Sequence, residues 1–359
     1  MHEASTARGA LLRGLRSRSP LVLVAAALLA IAALVGLQWF VSSGAFTVLP
    51  ERFMLRIPND DYVHLSYRVA QLRRRPPAGR VVYLFGGSGT MEMVRSPNAL
   101  ATAIRAAGGP RVTVISLAAH NQSIGETLAV IDNLPRGHGL LAIGLSPNRL
   151  ITAPSADAAQ LTGSPLALTS ARLAAALAGR ASAHHSLPGL LPGVFGFAVS
   201  YADQRIITRS PDLSPITYST HYHTGNGVAA LSAKQAGGPI ELARERPLYA
   251  ANSAYNLSLL ADVVRLGREK GYAVVFFQQP LDLVASGPAW DAYLGSYRAA
   301  VAVVARRLGV SDVDVEPVAG LREDDFYDMF HLIDSGRDKW TPPFARGLAL
   351  ALLPTAATP

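Results

Sequence analysis

The strongest hydrophobic pattern in the chain has no polar face at all. From Leu21 to Val41, 21 consecutive residues carry no charge, and Gln38 is their single strongly polar member. A helix needs about 20 apolar residues to cross a bilayer core. Arg8, Arg13, Arg16 and Arg18 precede the run, opposed only by Glu3, and Trp39 and Phe40 close it. Basic flanks stay on the cytoplasmic side and aromatic rings favour the interface. The expected topology is a single span in the cytoplasmic membrane, residues 21–41, with residues 1–20 inside and the rest periplasmic or otherwise extracytoplasmic. The alternative is a cleaved signal peptide ending near Ser42-Ser43-Gly44-Ala45, although a signal core is usually only about 7–15 residues long. Both readings export the remainder.

Downstream, residues 42–78 read as a stalk closed by Arg73-Arg74-Arg75-Pro76-Pro77. A strand–helix alternation then begins. Val81–Phe85 is a short β-rich apolar run of the kind found in strands buried on both faces. Ser96 followed by Pro97 marks a helix start. Arg111–Leu117 and Gly139–Leu145 read as strands, with a helix over Glu126–Leu134 between them. Residues 151–250 lose the pattern and are rich in Ala, Ser, Pro and Gly. They are expected to form an insertion or cap, helical around Ser170–Leu177. The alternation resumes with a helix at Tyr255–Lys270, a strand at Tyr272–Phe277, a helix at Trp290–Leu308 and a short strand at Val313–Val315. Thr341-Pro342 reads as the start of a last helix ending near Leu353. Alternating β and α elements imply a mainly parallel sheet covered by helices, an α/β domain spanning 79–353. Ligands of such sheets bind at the carboxyl ends of the strands.

Composition narrows the chemistry. There are no cysteines among 359 residues, which excludes disulfide frameworks, thiol catalysis and cysteine–zinc sites. Of the net charge of +8, +3 lies before residue 42, and the remaining +5 is scattered without the dense basic stripe of a nucleic-acid binder.

Two motifs stand after predicted strands. Gly86-Gly87-Ser88-Gly89-Thr90 follows the first strand, where glycines permit a sharp turn and leave the Ser88 hydroxyl exposed. It lacks the Gly-Lys-Ser/Thr of a phosphate loop and the spacing of a dinucleotide fingerprint. Asp328-Met329-Phe330-His331 follows the last short strand. Asp and His three apart can share one side of a tight loop, so that the carboxylate orients the imidazole. A serine hydroxyl needs such a base, and the base needs such a partner. Taken singly, Ser88 also fits an ordinary Gly-rich turn, and His331 a surface position among Asp324, Asp325 and Asp334.

Ser88 after the first strand and Asp328-x-x-His331 near the end resemble the SGNH (GDSL-like) hydrolase superfamily, over roughly residues 79–150 and 251–353. The chain looks most like its membrane-anchored envelope members, those related to the D-alanyl transfer protein DltD and to alginate-acetylation proteins. The resemblance implies a flavodoxin-like three-layer α/β/α fold and acyl transfer, with Ser88 as nucleophile, His331 as general base and Asp328 orienting it. It also implies an oxyanion hole from the Ser88 N–H, the backbone of Asn121 and the side chain of Asn148. Asn121 stands where the family carries glycine. Asn148 lies two residues beyond the family's asparagine, where Ser146 occurs here. Gly87 replaces the Asp that usually precedes the serine.

The expected activity is therefore that of a serine O-acyltransferase or acyl esterase, handling acetyl groups on an envelope polysaccharide and needing no cofactor. The resemblance also implies a multi-pass membrane acyltransferase as partner. An inactive SGNH-like scaffold binding glycan or an assembly partner is the alternative. His184-His185 and His221-Tyr222-His223 raise a metal-dependent hydrolase as a third reading. Gln278-Gln279-Pro280 is expected on the polar rim of the cleft, and Tyr218 and Tyr222 on a stacking surface or in the packing of the cap.

Overall fold

The computed structural model describes residues 19–48, 62–163, 168–180 and 231–353. The chain divides into two units, residues 1–49 and 50–359. In the first, helix α1 (Pro20–Ser42) is followed by a short 3-10 turn at Ala45–Val48. Over Pro20–Leu37 none of the helix is buried within the protein, and α1 is long and apolar enough to cross a membrane.

In the second unit, the expected α/β alternation folds as one parallel sheet. Its elements are α2 (Tyr62–Arg74), β1 (Arg80–Phe85), α3 (Ser88–Glu92), α4 (Pro97–Ala106), β2 (Thr113–Ser116), α5 (Ile124–Asn133) and β3 (His138–Leu145). There follow α6 (Pro154–Gly163), α7 (Ala171–Leu177), α8 (Leu231–Glu269), β4 (Tyr272–Gln278), α9 (Leu283–Ser286), α10 (Pro288–Leu308), β5 (Ser311–Val313), α11 (Glu316–Ala319) and α12 (Asp334–Leu352). The strand order is β2-β1-β3-β4-β5, with every neighbouring pair parallel. This is the flavodoxin-like order, and its switch point lies between β1 and β3.

Strand residues alternate between two apolar layers. Tyr83, Phe85, Leu141, Ile143 and Phe276 pack with α2, α5, α7, α8 and α10. Val82, Leu84, Leu140, Ala142 and Phe277 pack with α4, α11 and α12. Both faces are covered, which explains why the strands read as continuous apolar runs.

The last strand, expected at Val313–Val315, lies at Ser311–Val313, because Val315 already caps α11, and three helices depart further from the sequence expectation. The stretch read as a stalk contains α2, whose Leu65, Val69 and Leu72 recur at helical spacing and are buried in the core. The domain thus includes residues well before 79, and Arg73 and Arg74 form a last helical turn. The helix expected from Tyr255 begins at Leu231 and runs through Pro239 and Pro247. Both prolines are exposed, as are Gln235 and Ala243 four residues back, so water can take the carbonyls that proline leaves without a donor. The last helix begins at Asp334, with Pro342 and Pro343 inside it. An internal proline costs about 3 kcal/mol. Trp340, Phe344, Leu348 and Leu352 fall on one buried face, and at about 1.5–3 kcal/mol each their burial outweighs that cost.

Trp340 is fully buried, and its indole N–H has no hydrogen-bond partner among the described residues. Trp340→Ala should cost about 3–5 kcal/mol. Trp340→Phe should lower the melting temperature far less, because no hydrogen bond is lost. Equal losses from the two variants in thermal denaturation would contradict this packing account.

Candidate active site

The site is assembled at the sheet's switch point by three chain turns. The first follows β1. Gly86 has φ +155, and a Cβ there would lie 1.9 Å from Thr90 Oγ1, so only glycine allows α3 to fold back so tightly. Gly87 caps α3, and Ser88 is the first residue of that helix. The N–H groups of Ser88 and Gly89 have no acceptor among the described residues, as expected at a helix start.

The second turn links β5 to α12. An isolated antiparallel bridge between Phe326 and Leu332 closes a small loop, and within it the Tyr327 N–H donates to the His331 carbonyl at 2.8 Å. Asp328 Oδ1 accepts from the backbone N–H groups of Phe330 and His331 at 2.8 and 2.9 Å. The carboxylate is thereby fixed before it meets the imidazole. His331 Nδ1 lies 2.7 Å from Asp328 Oδ2, and His331 Nε2 lies 2.8 Å from Ser88 Oγ. Burial alone would push the Asp328 carboxyl up. The hydrogen bond and charge of His331, with the two backbone donors, hold it below the usual carboxylate range. The structure thus brings Ser88, His331 and Asp328 into one hydrogen-bonded chain.

The third group of donors comes from the ends of β2 and β3. Asn121 has φ +51, the one non-glycine residue with positive φ among those described. Asparagine enters this left-handed region more readily than other side-chain-bearing residues. The backbone conformation that a glycine would supply is thus adopted by Asn121. After β3, Ser146 Oγ donates to Asn148 Oδ1, which leaves Asn148 Nδ2 as the group's donor. Ser88, Asn121, Asn148, Gln279 and His331 all line one cleft of about 340 Å³.

Arg149 holds these turns together from below. It is buried, and its guanidinium donates to the carbonyls of Gln122 at 2.8 Å and Ser123 at 3.0 Å, and also to the Gly144 carbonyl. The side chain of Gln122 accepts from the Gly86 N–H at 3.1 Å and donates to the Leu117 carbonyl at 2.8 Å. The ends of β1, β2 and β3 are therefore tied to one another by two buried polar side chains.

A second buried arginine joins the Ser88 turn to the His331 turn. Arg337 of α12 donates to the Glu92 carbonyl at 2.7 Å and to Glu92 Oε2 at 2.6 Å, and also to Asp334 Oδ1 at 2.7 Å. The side chains of Arg337 and Glu92 are 0% and 2% exposed, so little water intervenes.

Other expected positions fall elsewhere. Gln279 reaches the cleft and donates to Thr90 Oγ1 at 3.0 Å. Gln278 points instead into a buried network, donating to Asp312 and accepting from Tyr297. The histidine pairs at 184–185 and 221–223, together with Tyr218 and Tyr222, lie outside the described residues. Among the described residues no cluster of three or more His, Asp or Glu could hold a metal. Sequence reasoning missed Gln122, Arg149, Glu92 and Arg337. It also missed the cleft wall formed by Glu241, Arg244 and Glu245 of α8. The one available signal was Ser123-x-x-Glu126, whose capping box forms as that spacing predicts and fixes the turn beside Gln122. No protein-family model matches the chain, and no curated protein matches it either.

Two outcomes follow. Glu92→Ala leaves Arg337 short of its buried partner and should cost about 3–5 kcal/mol, as broken buried pairs do. Replacing both residues by apolar side chains should restore a large part of this, and denaturant unfolding of the single and double variants measures it. The second outcome concerns Glu245. Burial first, then the neighbouring Glu241, pushes its carboxyl up to about 7, opposed by Arg244 and by the Tyr293 hydroxyl from α10. A raised carboxyl stabilises the fold while protonated, and that contribution is lost as pH rises through about 7. Glu245→Gln should melt near the wild-type temperature at about pH 5 and above it at about pH 8. A difference that does not change with pH would count against the shift.

Proposed function

We propose that the domain is a serine acyl-transfer enzyme of the SGNH type that moves a short acyl group, acetyl, to or from an envelope polysaccharide. The observation that supports this most is the chain Ser88 Oγ, His331 Nε2 at 2.8 Å, and His331 Nδ1 at 2.7 Å from Asp328. Residues 243 apart in sequence meet there in the order that nucleophilic catalysis needs.

In the first half-reaction Ser88 Oγ attacks the acyl carbonyl carbon while His331 Nε2 takes its proton. Asp328 holds the proton on Nδ1 and stabilises the imidazolium. The negative oxygen of the tetrahedral intermediate is met by the N–H groups of Ser88 and Asn121 and by Nδ2 of Asn148. One such donor is worth about 10²–10³ in rate. Collapse expels the donor's alkoxide, which His331 protonates, and leaves an ester on Ser88. In the second half-reaction His331 deprotonates an acceptor hydroxyl or water, which attacks the ester and regenerates Ser88.

The lining of the cleft supports a short acyl group. Among the described residues its larger apolar side chains are Ile151 and Phe330, and these offer a long chain little surface to bury against. Helix α1 and the arginines before it support a membrane-tethered protein with the domain outside the cytoplasm. In that place an acetyl donor has to arrive from within or across the membrane, and a multi-pass membrane acyltransferase would supply it.

The test is a fluorophosphonate probe on the detergent-solubilised protein. Covalent labelling confined to Ser88, abolished in Ser88→Ala and slowed about 10³–10⁴-fold in Asp328→Asn, is expected. Absence of labelling in the wild type would mark the domain as a non-catalytic SGNH-like scaffold instead.

A further inference from the structure

Lys234 of α8 goes against two local rules. It stands in the first turn of the helix, where the positive end of the helix dipole disfavours a cation. Its side chain is also buried, at 2% exposure, and an ammonium leaves water only at considerable cost. Residues that contradict their local setting in this way are expected where a functional site needs them.

The partners of Lys234 show what it holds. An ammonium has three N–H donors, and all three are used here. Nζ donates to Asp282 Oδ2 at 3.2 Å, to the Glu323 carbonyl at 2.9 Å and to the Phe326 carbonyl at 3.0 Å. Phe326 is one side of the bridge with Leu332 that closes the loop of Asp328 and His331. Asp282 extends the hold. It is buried, its Oδ1 accepts from the Ala285 N–H at 2.9 Å, and its own N–H donates to the Met329 carbonyl at 3.0 Å. The Met329 side chain packs with Leu242 of α8, Leu281 and Trp290. The loop is thus gripped just before Asp328 and again between Asp328 and His331. Hydrogen bonds inside the loop fix His331 on Asp328, but they do not fix the loop against Ser88. Arg337 holds the chain that follows His331, and Lys234 holds the chain that precedes Asp328.

We infer that Lys234 is a positioning residue for the base: through the Phe326 carbonyl and Asp282 it sets the reach of His331 Nε2 toward Ser88 Oγ. This rests on the acyl-transfer reading for the reaction that His331 serves. A buried ion pair adds little stability over apolar residues of the same size, so what the pair contributes is the location of the loop. A neutral side chain of the same length would leave the Glu323 and Phe326 carbonyls without this donor.

The test separates position from stability. In the full chain in detergent, Lys234→Met is compared with Lys234→Met combined with Asp282→Asn. The single variant leaves a buried carboxylate without its cation and should melt well below the wild type. The combined variant removes both charges and keeps an oxygen to accept from the Ala285 N–H, so it should melt close to the wild type. In neither does the Phe326 carbonyl regain its donor. Acylation of Ser88 by p-nitrophenyl acetate, read from the burst of p-nitrophenol, should therefore be about 10²-fold slower in both, the loss that a misplacement of about 1 Å brings. The half-saturating ester concentration should change little, because Lys234 does not line the cleft. A rate that is unchanged in the single variant, or that recovers with the melting temperature in the combined one, overturns the inference. A crystal structure of the combined variant gives a readout that needs no turnover: Ser88 Oγ and His331 Nε2 should part beyond about 3.2 Å. A separation kept at its wild-type value overturns the positioning role. A lengthened separation, in a protein whose wild type never acylates Ser88, supports that role and overturns the acyl-transfer reading.

Discussion

Ser88 and His331, the proposed nucleophile and base, stand 243 residues apart in the chain, so a 2.8 Å approach between them has to be enforced by packing. The contact that does this most directly is Arg337 against Glu92. It joins the short helix that starts at Ser88 to the helix that follows His331, and both side chains are buried. Two charges leave water at considerable cost, and such a pair adds little net stability over apolar residues of the same size. Its value here is positional. Arg337 bonds both the carbonyl and the carboxylate of Glu92, so rotation or sliding of α12 against α3 would break charged hydrogen bonds in an apolar setting. The bridge between Phe326 and Leu332 and the Asp328 turn then carry that register the last few ångströms to the imidazole.

The same arrangement recurs on the other side of the site. Arg149 reaches from the end of β3 to carbonyls at the end of β2, and Gln122 reaches from there to the end of β1. The parallel sheet brings its three strand ends level. The polar side chains below them set the spacing of the Ser88, Asn121 and Asn148 donors. A rigid sheet with buried polar braces preorganises the site, and such preorganisation is what electrostatic stabilisation of an oxyanion requires.

Much of this was readable before any coordinates. The sheet was readable because strands buried on both faces are apolar throughout, and the triad because Ser88 directly follows the first strand while Asp328 and His331 lie in the segment between the last strand and the last helix. The carboxyl-terminal turns of a doubly wound sheet converge, so Gly86–Gly89 and Asp328–His331 could be expected to meet. Arg337 and Glu92 were not readable, since nothing local tells a buried charged residue from a solvated one. Helix α2 was misread despite the Leu65, Val69, Leu72 spacing, because the arginine and proline cluster after it looked like the end of a linker. Thr341-Pro342 carries a helix-start signal, yet it sits inside α12, where the buried face from Trp340 to Leu352 outweighs the local preference. Asn121 stands where the SGNH hydrolases that the sequence resembles carry glycine, but its backbone adopts the conformation a glycine would favour.

The central claim is that Ser88 takes an acyl group with His331 as its base. The most direct measurement is mass spectrometry of the acid-quenched protein after brief exposure to an activated acetyl ester, with peptide mapping of the modified residue. The account predicts one acetyl group, on Ser88, that is absent in Ser88→Ala and accumulates much more slowly in His331→Ala. Acetylation that is equal in wild type and Ser88→Ala, or confined to lysines, would contradict it.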